Sequence, residues 1–521
     1  MKLTGLSKFL ITVVVLGAAA AGVYRYSRAP GSTAFWKQGQ QGQQGQDEGK
    51  AGDGTPAAKP PARKGGRPHI VVGVNDFGGA YPGLVANDGA IAGPNSLFSK
   101  AGLDVEIKLV PGSKERLEQF DGGQVDVMLL TLDYVANLYP VYHAKGTEVQ
   151  AFMMVDWSRG NLGMVTKPGI TSIEGLKKAR IATTRNTPTH YFIFTLLDRS
   201  NLSAAEITQV KESLVFAKKT PLAGEMFQRG EVDAVAIWEP HLSRAAAEGK
   251  GRLLVSTATA TNLIADVLFA RSAFLDANAD VMPAFVNAWF EGVEQIRRDR
   301  PGSVALIAKA FKQQLKETDE VLSKIKPATF ADNRAFFGLE TESSPYSILF
   351  NEAAQIWKRE DVIKEIPDPR KAVRTKFLEA VAAQHAGEKV VEEFEFKSSK
   401  AKGDALLSKS VSIFFPSGSA ELDANARRIV DDFANRTVGV FQNAYVRVEG
   451  NTDSVGNRKL NTALSKRRAD AVIDYLVSRH RFDTARFVAV GNGPDRPVAD
   501  NKTDPGRELN RRTDFRVVPN Y

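Results

Sequence analysis

The chain has 521 residues, enough for three or four domains at about 100–200 residues each, and its 43% hydrophobic and 25% charged residues are ordinary for globular proteins, so packed cores are expected. The net charge of +9 comes without a dense basic block or an RNA-type aromatic motif, which speaks against nucleic acid and for a surface near anionic lipid or wall polymer. With no cysteine, disulfides, thiol nucleophiles, cysteine metal sites and lipoprotein acylation are excluded.

Lys2 and Lys8 precede an apolar run, Phe9 to Val23, followed by Tyr24, Arg25, Tyr26 and Arg28, so residues 1–28 read as an export signal. The run has 15 residues, short of the roughly 17–25 of a full span. Tyr24 and Tyr26 would extend it at the interface, while Ala18 to Ala21 offers a cleavage site. A cleaved signal and an uncleaved inner-membrane anchor helix both fit. Residues 29–66, rich in Gln, Gly and Pro, lack the apolar side chains needed for a core and read as a disordered linker. From 67 to 383 a folded domain is expected. Strands are predicted at 69–74, 105–110, 125–130, 149–155, 162–166, 180–183 and 234–238, with helices between them. Capping boxes are expected at Thr171/Glu174 and Ser203/Glu206, and Thr187 before Pro188 fits an N-cap. This alternation predicts an α/β fold with mostly parallel sheets. Residues 274–383 read as helical, with a strong amphipathic stretch at 284–298. A polar linker, 384–404, leads to a small α/β unit at 405–521. Its strands are predicted at 411–415, 445–449, 487–490 and 514–518, and its helices at 425–435 and 458–479.

The C-terminal unit carries five motifs in order: Phe415-Pro-Ser-Gly-Ser-Ala-Glu-Leu422, Val448-Glu-Gly-Asn-Thr-Asp-Ser-Val-Gly456, Asn461-Thr-Ala-Leu-Ser-Lys-Arg-Arg-Ala469, Gly491-Asn-Gly493 and Asn510-Arg-Arg512. Together they resemble the OmpA-like peptidoglycan-binding domain. The resemblance implies a ligand, the diaminopimelate of the wall's stem peptide, whose ammonium falls to Asp453 and whose carboxylate falls to Arg468, a planar fork suited to bidentate binding. Asn461 and Thr452 would support the site, and Arg511 and Arg512 would add positive field. Asn451 stands where the family usually has histidine. As isolated residues, Asp453 also fits a turn cap and Arg468 a helix-surface pair.

The central region carries Asn75-Asp-Phe77, Gly122-Gly-Gln-Val-Asp126, Ile173-Glu-Gly-Leu-Lys-Lys-Ala-Arg-Ile-Ala182, Arg229-Gly-Glu-Val-Asp-Ala234 and Ile237-Trp-Glu-Pro240. These resemble periplasmic solute-binding proteins of the nitrate, sulfonate and taurine import type. The resemblance implies two lobes closing on a small solute where strands end and helices begin, a place that favours anions. The positions it implies are Asp76 and Phe77, Gly112 and Ser113, Thr131, Asp156 and Trp157, Thr187 and Thr189, and Trp238 with Glu239. Ser113 and Thr187 equally fit helix caps, and Trp238 equally fits a core. Asp76, Asp156 and Glu239 are acidic and better suit an amine or a zwitterion.

No catalytic motif stands out. The six histidines show no metal-ligand spacing, and His190, just after a helix start, reads as a polar contact. A non-enzyme without metal or cofactor is expected. Its partners would be peptidoglycan, a small-molecule solute, an inner-membrane ABC transporter or a sensor, and the membrane if the N-terminal helix is kept. The alternative is a structural or signalling envelope adaptor whose central fold contacts another protein.

Overall fold

The computed structural model describes residues 63–64 and 67–520, apart from 248–250, 342–343, 392–393, 398–402, 414 and 417. The expected signal or anchor (1–28) and most of the expected linker (29–66) therefore lie outside the described residues. Among the described residues no helix is long and apolar enough to cross a membrane.

The first lobe is built on the strand Arg67–Val74, whose Ile70, Val72 and Val74 are fully buried. It pairs in parallel with Asp104–Leu109 and Val127–Thr131. Beyond Val127–Thr131 the sheet continues through Ala265–Arg271, Val149–Ser158 and Ile325–Pro327, each antiparallel to its neighbour. The second lobe is a five-stranded sheet in the order Arg252–Ser256, Leu162–Thr166, Ala234–Trp238, Ile181–Thr184, Leu214–Ala217. Only its last two pairings are parallel. Both sheets are thus mixed, which corrects the expectation of mostly parallel strands. The chain enters the second lobe after Val149–Ser158 and returns into Ala265–Arg271, and these two long strands pair antiparallel across the exchange.

Seven predicted strands form within a few residues of their expected bounds. Ala265–Arg271 has no forecast, because six of its seven residues are buried and such a run shows no period-two alternation. Ile325–Pro327 is a short strand inside the stretch expected to be helical. The Ser203/Glu206 capping box forms. The Thr171/Glu174 box does not: Ser172 takes the cap position without a side-chain bond, and Glu174 accepts instead from the backbone N–H of Ser408 at 2.9 Å. The amphipathic helix Met282–Arg298 lays Trp289 over Gly83, where a Cβ would sit 2.5 Å from the indole.

Helix Pro345–Arg359 braces the two lobes. Its Trp357 donates to the Asp133 carbonyl of the first lobe at 2.8 Å. On the other side Glu352 pairs with Arg199 at 2.7 Å, Arg359 with Asp198, and the following Glu360 with Lys211.

The C-terminal unit is a four-stranded sheet ordered Leu407–Val411, Thr513–Pro519, Ala444–Asn451, Phe487–Gly493, with helices Ala424–Phe433 and Arg458–His480. The first strand lies earlier than the expected 411–415, so Phe415 falls in the following loop. A short helix, Asp504–Asn510, was not expected. Helix Arg458–His480 approaches the sheet so closely that a Cβ on Gly450 would lie 2.2 Å from the Ser465 carbonyl, which explains the glycine in that motif. The unit does not hang on a free linker. Ile173 N–H donates to the Leu406 carbonyl at 2.9 Å, Asn262 N–H to Val440 at 3.1 Å, and Lys409 to the Ser200 carbonyl at 3.0 Å. Leu406, Leu407, Val440 and Phe441 join the same apolar core as the lobes. A cavity of about 620 Å³ lies in this interface, between Arg199, Glu352 and Arg359 on one side and Lys409, Arg428 and Arg436 on the other.

Candidate functional site

The C-terminal motifs converge. The strand Ala444–Asn451 runs into the loop that carries Asp453, and Gly456 (φ +93°) turns that loop towards helix Arg458–His480. Asp453 is half-buried. It accepts from the Val455 N–H at 2.9 Å and from Arg511 Nη1 at 2.7 Å. Arg468 comes from the helix and is held by Phe415, Pro416 and Ser419. Its Nε donates to the Ser419 carbonyl at 3.0 Å, its Nη2 to Pro416 at 3.3 Å, and its guanidinium lies 4.9 Å from the Phe415 ring centroid. Partial burial lowers the Arg468 pKa, opposed by the nearby Asp453 charge. Asn461 Nδ2 ties down the loop through the Val455 carbonyl at 2.8 Å. One carboxylate and two guanidiniums therefore share a small area, an arrangement that can take an ammonium and a carboxylate borne on one carbon.

The other expected members turn inward. Asn451 is buried and donates to Asp514 Oδ2 at 3.0 Å, while accepting from Asn492 at 3.0 Å. Thr452 is buried, its hydroxyl donating to the Asp453 carbonyl. Arg512 pairs with Asp514 at 2.9 Å, both side chains under 10% exposed, so it supports the sheet rather than extending the field at the surface. This network leads to Glu449, which is buried and paired with Arg447 (2.8 Å), Arg516 (2.9 Å) and Arg496 (3.0 Å). Burial alone would raise the Glu449 pKa, but the guanidiniums, Arg516 foremost, bring it below the usual value. A basic cavity of about 630 Å³ opens beside the start of the same helix, lined by Arg458, Lys459 and Lys466.

The cleft of the central domain differs. Asp76, Gly112 and Ser113 are exposed at strand ends, Gly112 rather than Ser113 caps helix Ser113–Asp121, and Phe77 packs partly into the core. Thr131 precedes helix Leu132–Ala144 without a side-chain cap bond. Thr187 precedes helix Pro188–Arg199; its hydroxyl donates to the Thr184 carbonyl and meets Thr189 at 2.9 Å, and Thr189 meets Thr183 at 2.8 Å. Trp157 is buried edge-on against Phe336 at 5.3 Å in the core of the first lobe, and Trp238 also packs against the core. Glu239 pairs with Lys324 of the first lobe and accepts from the Ser243 hydroxyl at 2.7 Å, which joins the lobes.

Asp156 lies under Gly79, with Asp266 as its cross-strand partner. Both carboxyls are buried, and neither oxygen of Asp156 nor Oδ2 of Asp266 has a hydrogen-bond donor. Burial drives both pKa values up, and the neighbouring Asp266 charge adds to the rise at Asp156. Asp133, one residue inside helix Leu132–Ala144, is lifted by burial to about 7, with Thr131 opposing and Asp266 adding. Arg116, 4% exposed, is the cation beside Asp266. His190 is buried against Phe194, Phe216 and Trp357; its Nδ1 accepts from Asn186 N–H, which leaves the hydrogen on an unpartnered Nε2, and burial lowers its pKa to about 3.

Asp133, Asp266, Arg116 and Trp357 escaped the sequence reading. A lone aspartate within the apolar run Ile264 to Phe269 was a usable signal, since aspartate is almost never buried without a partner. Arg116 and Trp357 reach the cleft from distant segments and carry no local signal. Among the described residues no group of three or more His, Asp or Glu is arranged to hold a metal ion.

Comparison with known proteins follows this division. Residues 414–511 match the OmpA family and residues 70–311 the NMT1-like family. Outer membrane protein Omp38 of Acinetobacter baumannii is 36% identical over 106 residues, 20% of this chain and 30% of that protein. Outer membrane porin F of Pseudomonas aeruginosa is 53% identical over 70 residues, 13% of this chain and 20% of that one. The chain thus spans less than a third of either relative. The periplasmic aliphatic sulphonate binding protein SsuA of Escherichia coli aligns with a TM-score of 0.46 at 17% identity, covering 60% of this chain and 98% of that one. From Pro60 to Tyr521 the chain is one compact unit that joins an NMT1-like, two-lobed α/β domain to a C-terminal OmpA domain.

Proposed function

We propose that this protein is a solute-binding protein of the cell envelope, held to peptidoglycan by its C-terminal domain. The observation that carries the reading is the convergence of Asp453, Arg468 and Arg511. An ammonium on Asp453 and a carboxylate on Arg468 and Arg511 satisfy the amino-acid end of diaminopimelate, with Asn461 holding the loop and Arg458, Lys459 and Lys466 adding attraction for the wall's carboxylates. The central domain would capture a small solute between its lobes and pass it to an ABC importer or a sensor partner, from the periplasm or from an inner-membrane anchor. The test is co-sedimentation of the full chain with purified peptidoglycan, competed by free meso-diaminopimelate. Wild type should pellet and the competitor should release it. Unchanged pelleting of Asp453→Ala and Arg468→Ala would sink the site.

A second reading, an envelope adaptor that binds a protein, is favoured by one observation. The lobes are already in contact, through Lys324–Glu239 and through Trp357 between Asp133 and His190. Small-angle scattering in the presence of solutes separates the two: a receptor changes its lobe geometry and an adaptor does not.

A further inference from the structure

We propose that the cleft takes a small organic ammonium ion carrying an acceptor oxygen, with Asp133, Asp156 and Asp266 receiving the cation, Trp357 and Tyr191 covering it, and His190 donating to the oxygen. This rests on the solute-capture reading and names its substrate class.

The residues form one continuous cluster. Asp156 and Asp266 are cross-strand partners, Asp133 acts electrostatically on both Asp266 and Tyr191, and the Trp357 indole donates to the Asp133 carbonyl. The Trp357 ring lies 5.9 Å from His190 and 6.2 Å from Tyr191. Asp133 stands at the start of helix Leu132–Ala144 in the first lobe, and His190 and Tyr191 at the start of helix Pro188–Arg199 in the second. The cluster therefore spans the place where the lobes meet.

The acid end of the cluster points to a cation. Asp266 has the Arg116 guanidinium beside it, on which Asp76 and Tyr134 also act, and Arg185 and Lys211 stand at the His190 end. Around Asp133 and Tyr191 stand Thr131, Tyr134, Glu352 and Arg199, and Glu352 and Arg199 already pair with each other. Buried carboxyls normally find donors, yet neither oxygen of Asp156 nor Oδ2 of Asp266 has a donor from outside the pair, and Asp133 has Thr131 and the first N–H groups of its own helix at the edge of hydrogen-bond reach. An ammonium would supply the charge, and aromatic faces stabilise such cations. Independently of the acids, His190 Nε2 is a buried donor without a partner beside Trp357. It asks for an acceptor oxygen on the same ligand. In the contact seen here Gly79 covers Asp156 and the Lys324–Glu239 pair closes the rim, so entry follows separation of the lobes.

The test is a thermal melt of the full chain at pH 8 with choline, glycine betaine, methanesulfonate or nitrate. Choline or glycine betaine should raise the midpoint by a degree or more. The shift should shrink towards pH 5.5, where protons compete for the carboxyls. Asp156→Asn, a near-isosteric change expected to keep the fold, should weaken the response at least tenfold in concentration. A shift with methanesulfonate or nitrate alone would overturn the cation assignment and leave solute capture standing. No shift with any probe would overturn both. A cation response that survives in both Asp156→Asn and Asp266→Asn would overturn the assigned residues.

Discussion

Asp453 and Asp156 both sit near the end of a strand that leads towards a site, and their surroundings differ in one respect. Asp453 has a guanidinium and a backbone N–H within hydrogen-bond reach, whereas Asp156 has only another carboxyl. The first is half-buried and paired with Arg511. The second lies in a closed interior, where burial pushes its pKa up. A fold can therefore place the same residue type near the end of a strand in two domains and give it opposite surroundings. The donors around the carboxylate make the difference.

Five changes test that contrast, taken from the largest effect. Glu449→Ala strips the hub beneath the wall site of its carboxylate and leaves Arg447, Arg496 and Arg516 facing one another. The cost should be about 3 kcal/mol, the lower end for removing one partner of a buried pair, because the arginines keep some solvent. Chemical denaturation of the full chain measures it. The Glu449 pKa is depressed in the fold, so its contribution is present above the unfolded value of 4.5 and fades as pH falls through the folded one. The acid limb of stability should flatten in the variant.

Arg468→Ala and Asp453→Ala each remove a charge-assisted contact, worth about 1.5–3 kcal/mol, or roughly ten- to a hundredfold in affinity for peptidoglycan. Melting of these variants should stay near wild type, since both side chains keep partial solvent contact. Asp156→Asn should do the opposite of a usual core mutation and stabilise the protein by about 1–3 kcal/mol at pH 8, because the amide donates to Asp266 and no proton has to be held. The sign follows from linkage. These acids have raised folded pKa values, so their contribution is full below the unfolded value of 3.8 and is lost as pH rises, through about 7 for Asp133. Wild type should lose stability from pH 6 to 8, and Asp156→Asn should lose less. Lys324→Ala, which breaks a partly exposed pair, should cost only about 0.2–1 kcal/mol, yet it should speed hydrogen exchange across the Lys324–Glu239 rim.

The cluster around Asp453 was legible in the sequence, because its parts are local. Asp453, Gly456 and Asn461 lie within one strand–loop–helix passage, and Arg468 follows two turns along the same helix. The cleft was much less readable. Asp76, Asp156 and Glu239 follow from the rule that solutes bind at strand ends, but that rule names positions and not orientations. At Trp157 the strand turns the ring into the core.

The sequence by itself determined the order of the domains, seven of the central strands, the amphipathic helix and the motif residues around Asp453, since all of these depend on periodicity and short-range spacing. Tertiary structure alone decided that Glu174 bonds to Ser408 instead of capping its own helix. It also decided that the C-terminal domain docks on the lobes and that Trp357 closes on His190. Those contacts join residues far apart in the chain, and only packing selects among the partners that each polar or aromatic group could have taken.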